Sequence, residues 1–124
     1  MVKRTDRLNS LLQEVISEVL RKDIHHVPYI NEFITITRVD ITQDLHHAKV
    51  FVSILAKESD KEHALAALRE VAGTIGHFAS RKVVMRYFPV LEFFIDEGLE
   101  KQLRIEELLG KITKERDTRA DKSF

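Results

Sequence analysis

The spacing of apolar residues constrains the fold of this chain most strongly, because its period changes along the sequence. Between Asp6 and Arg21, leucine, isoleucine and valine recur at i, i+3, i+4 and i+7, which predicts an amphipathic helix capped by Thr5 or Asp6. Between His47 and Leu55, apolar and polar residues alternate, which predicts a strand with one buried face. The chain therefore combines helices and strands in one fold.

A second strand is predicted just before the first. Residues 33–41 are rich in β-branched side chains and predict a strand Phe33–Ile41, although their alternation does not show which face is buried. The five residues Thr42–His46 are few enough to join the two strands as an antiparallel hairpin. The stretch His25–Asn31, which contains Pro28, predicts a loop after the first helix.

The second half of the chain returns to helical spacing and ends in another strand. A helix is predicted over Asp60–Ala72. Gly73 and Gly76 interrupt it, and the helical pattern then resumes as far as Val83. A third strand is predicted at Val90–Asp96, where apolar and other residues alternate again.

These elements predict an α+β fold in which helices cover one face of a three-stranded sheet. After Gly98 the leucines predict a last short helix. Residues from Lys114 onward carry no apolar stripe. We therefore expect one domain over residues 1–113 and a disordered polar tail over residues 114–124.

Composition excludes several classes of protein. The 124 residues include no cysteine, which rules out disulfides, thiolate metal sites and a cysteine nucleophile. No apolar run reaches the ~18 residues that a membrane span requires, and the N-terminus does not resemble a signal peptide. We expect a cytoplasmic protein with no membrane association. The 20 basic and 20 acidic residues cancel, so net charge alone does not indicate a nucleic-acid partner.

Sequence motifs of catalysis are also missing. The chain contains no nucleophile elbow, no phosphate-binding glycine loop and no zinc-protease motif. Its six histidines are scattered or adjacent in pairs, which does not favour a metal site. Glu92 and Asp96 share one strand face, where a solvated sheet surface explains them better than acid–base catalysis. We expect no enzyme, no cofactor, no metal and no small-molecule substrate.

The distribution of charge shows more than its sum. Residues 1–22 carry a net charge of +2 and residues 69–86 a net charge of +3, whereas residues 92–107 carry −4. A neutral protein with a basic side can still bind phosphate. His77 and Arg81 are four residues apart and should share one side of a helix. The candidate RNA-binding residues are Arg4, Arg7, His77, Arg81, Lys82 and Arg86.

The glycine interruption itself has two interpretations. Residues 73–76, GTIG, match the GxxG loop with which KH domains approach nucleic-acid phosphates. They also fit a simple kink between two helices, which is the interpretation we favour because neither intervening residue is a cation. A kink at Gly73 would require backbone dihedrals that only glycine tolerates.

Three stretches resemble the bacterial ribosome-binding factor A family, whose fold is of KH type II. Residues 42–52, TQDLHHAKVFV, are similar to the family's Ser-x-Asp-Leu-x-x-Ala-x-Val-x-Val hairpin. Residues 86–96, RYFPVLEFFID, are similar to its Arg-x-x-Pro-x-Leu-x-Phe-x-x-Asp strand, and residues 104–109, RIEELL, to its C-terminal helix motif. Together with the Arg7-Leu8 start, the likeness extends to about residue 113.

The chain departs from the family pattern at four points. The family's Asp-Pro-Arg after the first helix is replaced by residues 25–28, HHVP, and its Ala-x-Gly kink by Val71-Ala72-Gly73. A usual glycine before the last motif is Gln102, and an often basic position after the kink is Gly76. The last change removes one potential RNA contact.

The resemblance implies a non-enzymatic assembly factor that acts as a monomer. It implies binding to the immature small (30S) ribosomal subunit and its 16S rRNA, with a role in late maturation and rRNA processing that matters most in the cold. Two alternatives are a KH-like module that binds other single-stranded RNA or DNA, and an adaptor that recruits a protein partner.

Overall fold

The computed structural model describes residues 4–31 and 33–98, and its helices and strands follow the predicted order. The elements are α1 (Arg4–Lys22), β1 (Ile34–Ile41), β2 (His47–Ile54), α2 (Glu58–Glu70), α3 (Ala72–Ser80) and β3 (Val90–Ile95). The α+β fold with a three-stranded sheet is therefore confirmed. The helix expected after Gly98 and the tail expected over 114–124 lie outside the described residues.

The three strands form one sheet in the order β1-β2-β3. β1 and β2 pair antiparallel, which confirms the hairpin, and β2 and β3 pair in parallel. Parallel neighbours need a long crossover, and α2 and α3 provide it. Because β3 starts where β2 starts, with Val90 opposite His47, the segment before β3 lies at the hairpin end of the sheet.

A β-bulge at Thr37 explains why the sequence of β1 does not show a simple alternation. The register between β1 and β2 shifts between Ile36 and Arg38. Ile34 and Ile36 are buried before the bulge, and Val39 and Ile41 are buried after it. The extra residue thus returns the apolar side chains of both halves to the same face of the sheet.

The core lies between this sheet face and the helices. The inward residues of β2 are 0–3% exposed, and α1 packs on β1 while α3 contacts α1 and β3. Phe93 of β3, at 1% exposed, is the largest fully buried side chain among the described residues. The buried residues of β2 are Ala48, Val50, Val52 and Ile54.

Polar side chains of α1 close the outer edge of β1. Asn9 Oδ1 accepts a hydrogen bond of 2.8 Å from the Ile41 amide. Gln13 Nε2 donates to the Ile36 carbonyl at 3.1 Å, next to the bulge. These bonds occupy the Ile41 amide and the Ile36 carbonyl at the edge of β1, so these two groups are not open to pairing with another strand.

The break between α2 and α3 differs from the sequence expectation. It lies at Val71, which leaves helical geometry with φ −98° and ψ 13°, whereas Gly73 and Gly76 both lie inside α3. No described glycine has a positive φ. The expectation that Gly73 is the kink residue, with dihedrals only glycine tolerates, is therefore wrong, because the backbone changes direction two residues earlier.

Candidate RNA interface

Three segments that are distant in sequence line one groove at the hairpin end of the sheet. They are the start of α1, the turn between β1 and β2, and the connection that leads into β3. The groove has a volume of about 750 Å³. We call it the hairpin groove; its lining residues are Arg4, Thr5, Arg7, Leu8, Leu11, Gln43, Asp44, Leu45, His46, Val84, Met85, Arg86 and Tyr87.

The hairpin groove combines cations with an apolar floor. Arg4 and Arg7 reach it from the first two turns of α1, and Arg86 reaches it from the segment before β3. In the sequence these arginines lie in two separate basic segments, and the fold brings them together. All three are exposed. The start of a helix also carries partial positive charge, so this end of α1 favours anions such as phosphate.

An exposed aromatic ring stands beside the cations. Tyr87 is 67% exposed, and the Arg86 guanidinium carbon lies 5.4 Å from the centre of its ring. A tyrosine that is this exposed contributes little to the core, but its ring face can stack on a nucleic-acid base. Arginine and an exposed aromatic ring together suit single-stranded RNA, whose backbone is anionic and whose bases are accessible.

The turn that forms one wall of the groove is held by its own side chains. Asp44 Oδ1 accepts hydrogen bonds from the Thr42 hydroxyl at 2.5 Å and from the His46 amide at 3.0 Å. Both bonds favour the ionised carboxylate, and they hold the pKa of Asp44 below its usual range, the Thr42 bond most strongly. Leu45 adopts a positive φ of 63° in this turn. The bond between its amide and Asp44 holds the backbone of His46 in place at the groove.

The other candidates from the sequence lie outside the hairpin groove. His77 is in the last turn of α3, and Arg81 follows as its C-terminal cap. Both are exposed, and neither lines the groove. The helix ends at Ser80 rather than near Val83, because the amides of Arg81 and Lys82 bond to carbonyls three residues back.

Lys82 forms ion pairs with other residues of the protein. Its Nζ lies 3.4 Å from Glu18 Oε1 and 3.9 Å from Asp23 Oδ2, so it links the end of α3 to α1. Hydrogen bonds from Lys22 and Lys82 lower the pKa of Glu18. A cation in these ion pairs would have to leave two carboxylates before it could bind a phosphate. Lys82 therefore has a structural partner that Arg4, Arg7 and Arg86 do not show in the described part of the chain.

Two further residues of the groove and a second surface were not predicted from the sequence. His46 and Tyr87 were not among the candidates, although Tyr87 directly follows Arg86 and could have been selected as an aromatic beside a cation. Arg38, Phe51 and Phe94 lie on the face of the sheet away from the helices and were also missed. The bulge at Thr37, which directs Arg38 to that face, has no signature in the sequence beyond the broken alternation.

Other kinds of site find no support in the described ranges. Residues 4–31 and 33–98 contain no group of three or more histidine, aspartate and glutamate side chains placed to hold a metal ion. Within the same ranges, no helix has the length and apolar character needed to cross a bilayer.

Comparison with known proteins places this chain in a family. The family model for ribosome-binding factor A matches residues 4–109. The ribosome-binding factor A of Protochlamydia amoebophila is 58% identical over 118 residues, which are 95% of this chain and 89% of the relative. That of Chlamydia pneumoniae is 47% identical over 110 residues, which are 89% of this chain and 92% of the relative.

Solved structures show the same likeness. The crystal structure of ribosome-binding factor A from Thermus thermophilus superposes with a TM-score of 0.65 at 25% identity, covering 75% of this chain and 97% of the other. A homology model of the Thermus thermophilus factor, fitted into an electron cryo-microscopy map of a complex with 30S, gives a TM-score of 0.55 at 25% identity. It covers 69% of this chain and 88% of the other.

Proposed function

This chain belongs to the ribosome-binding factor A family, and from that membership and the hairpin groove we propose that it is a ribosome-binding factor. It binds the immature small (30S) subunit in the cytoplasm through 16S rRNA and assists late maturation and rRNA processing. It acts as a monomer and without catalysis. The fitted Thermus thermophilus factor supports the choice of subunit.

The observation that carries the proposal is the convergence of Arg4, Arg7 and Arg86 on one groove beside Tyr87. Arginines from distant parts of the sequence meet there around apolar side chains, which is the chemistry of a single-stranded RNA contact. His77, Arg81 and Lys82 extend the basic character along α3, and they stay predictions as RNA contacts. Gly73 and Gly76 also stay candidates for phosphate contact, from inside a regular helix.

The mechanism needs only a difference between the protein's affinities for two arrangements of the rRNA. If the protein binds the mature arrangement of an rRNA segment more tightly than a misfolded one, binding shifts the population toward maturity. A shift from 1:99 to 99:1 requires about 10⁴-fold tighter binding of the favoured state. Cold stabilises misfolded rRNA helices, so the same difference in affinity matters most at low temperature.

Sedimentation of cell lysates tests this function. We expect the protein to migrate with free small subunits and to be absent from translating ribosomes, and we expect cells without it to accumulate unprocessed 16S rRNA after a shift to low temperature. A protein that stays at the top of the gradient would contradict the proposal. Binding to unrelated single-stranded RNA with the same affinity as to the subunit would favour the general KH-like module instead.

An adaptor function has one observation in its favour. At the opposite end of the sheet, three large apolar side chains are exposed around a pocket of about 390 Å³. They are Tyr29, Phe33 and Leu55, at 49%, 50% and 73% exposed. A protein partner at this end would bind with little dependence on salt, unlike RNA.

A further inference from the structure

The sheet face away from the helices carries a continuous row of cations and aromatic rings. Arg38 of β1 is the register neighbour of Phe51 in β2, which in turn is the neighbour of Phe94 in β3. The Arg38 guanidinium lies 4.2 Å from the centre of the Phe51 ring, and the two rings are 5.9 Å apart at 33°. Arg69 belongs to α2 rather than to the sheet, and it ends the row beside β3, with its guanidinium carbon 6.0 Å from the centre of the Phe94 ring. We call these four residues the stacking row.

The bulge in β1 is what creates the row. Without the extra residue at Thr37, the alternation set by Ile34 and Ile36 would direct residue 38 into the core. The shift turns Arg38 outward instead, directly over the ring of Phe51. Bulges commonly re-aim a side chain next to a functional site. Arg69 is held in place as well, because its Nε donates to the Phe93 carbonyl at 3.2 Å.

The charges around the row favour bases over phosphates. Lys49, the other cation of this face, lies opposite Asp40 on one side and Glu92 on the other. Asp96, directly after β3, accepts a 2.8 Å hydrogen bond from Thr37. Cations and carboxylates are therefore close to balanced here, whereas Asp44 is the one acid among the residues that line the hairpin groove. A balanced surface with planar groups has little attraction for the RNA backbone but can stack bases.

We infer that the stacking row is a second RNA contact, which stacks one or two unpaired bases of single-stranded RNA. The exposed plane of the Arg38 guanidinium, opposite the plane that rests on Phe51, offers one stacking position, and the partly buried ring of Phe94 offers the next. This inference rests on the proposed function. It assigns phosphate binding to the hairpin groove and base stacking to the stacking row.

The two sites are close enough for one strand of RNA. Phe51 follows His47 by four residues along β2, which corresponds to ~13 Å of extended chain. His47 directly follows the turn that forms a wall of the hairpin groove. A single strand that passes around this end of the sheet reaches both sites within a few nucleotides.

Two substitutions in the full chain test the row while they preserve charge. Phe51→Leu removes the ring and keeps an apolar side chain, and Phe33→Leu is its matched control at the other end of the sheet. Arg38→Lys keeps the charge and removes the planar guanidinium, so it tests the row without touching the core. Binding is measured by titration with a uridine-rich single-stranded RNA of about twelve nucleotides, and with a duplex of the same sequence, at several salt concentrations.

We expect Phe51→Leu and Arg38→Lys to weaken single-strand binding about five- to one-hundred-fold, the loss typical of one stacked base. The salt slope and the duplex affinity should not change, because no phosphate contact is lost, and Phe33→Leu should bind like the native chain. Photocrosslinking with 5-iodouridine should attach the RNA to Phe51 or Phe94.

Unchanged affinity in both folded variants, or a loss that flattens the salt slope, would overturn the inference. Crosslinks that join the stacking row to a protein, or to the chain's own residues after Gly98, would also overturn the inference if RNA does not displace them. The proposed function fails separately, if the native protein does not migrate with free small subunits in the sedimentation experiment.

Discussion

The two ends of the sheet are built alike and differ in chemistry. Each end has a loop with one residue at positive φ, Leu45 in the hairpin turn and Tyr29 in the loop before β1. The hairpin end gathers three arginines and one acid, whereas the pocket at the other end has Lys57 and Asp60 in balance among exposed apolar side chains. A chain with no net charge thus gathers cations at one end of the sheet and balances its charges at the other, and the position of its charges is more informative than their sum.

The exposed tyrosine ring at the opposite end of the sheet already has a contact within the protein. Tyr29 stacks on His63 of α2, with ring centres 4.8 Å apart and an interplanar angle of 14°. Tyr87, at the hairpin end, has only the neighbouring Arg86 as a ring partner among the described residues. One exposed tyrosine therefore joins a loop to a helix, and the other is available to a ligand.

The largest effect should come from the core that both ends share. Phe93→Ala removes a side chain that is 1% exposed and leaves a cavity between the sheet and the helices. We expect the free energy of unfolding to fall by about 3–5 kcal/mol. Chemical denaturation followed by circular dichroism measures it. If the loss were below ~1 kcal/mol, the two ends would not depend on a common core.

A smaller and local effect should come from lowering the pH, which protonates Asp44 at the hairpin end. Since the pKa of Asp44 is lowered in the folded protein, its contribution to stability is complete above the ordinary aspartate range and is lost as pH falls through the lowered value. The amide proton of His46, which bonds to this carboxylate, should titrate in NMR spectra with a midpoint below that of an ordinary aspartate. Asp44→Asn should abolish that titration. A midpoint at or above the ordinary value would show that the turn does not hold the carboxylate.

The smallest effect should be a gain in stability at α3, away from both ends. Gly73 has ordinary helical geometry, and a Cβ there would meet nothing within 4 Å. Gly73→Ala should therefore raise the free energy of unfolding by about 0.5–1 kcal/mol. Binding to small subunits separates the two interpretations of the GTIG segment. Unchanged binding identifies a plain helical glycine, and weaker binding in the more stable variant identifies a phosphate contact.

Parts of the fold could be predicted from the sequence because local pattern and tertiary packing agree there. Strict alternation in β2 predicted all four of its buried residues, Ala48, Val50, Val52 and Ile54. The faces of β1 could not be predicted, because the bulge at Thr37 changes the phase of the alternation midway. The helix break was misplaced because the low helix propensity of glycine pointed to Gly73, whereas the residue that leaves helical geometry is Val71.

The site was predicted only in its parts. Arg4, Arg7 and Arg86 were identified as cations in acid-poor segments, but their convergence depends on the parallel pairing of β3 with β2. That pairing brings residues 84–87 to the hairpin turn, and no local pattern encodes it. The stacking row was missed for the same reason, because Arg38, Phe51 and Phe94 become neighbours only through strand register.

The salt dependence of binding to small subunits tests the central claim, that the hairpin groove is the phosphate-binding surface. The comparison is between the native chain, the double variant Arg7→Glu with Arg86→Glu, and Arg21→Glu as a control. Arg21 is also an exposed arginine, at the other end of the same helix α1.

We expect the double variant to stay folded, to bind subunits at least tenfold more weakly at low salt, and to flatten the log-affinity against log-salt slope by about 1.4–1.8, which is 0.7–0.9 for each lost phosphate contact. Arg21→Glu should keep both the native affinity and the native slope. A folded double variant with native affinity and slope, or an equal loss in Arg21→Glu, would contradict the claim.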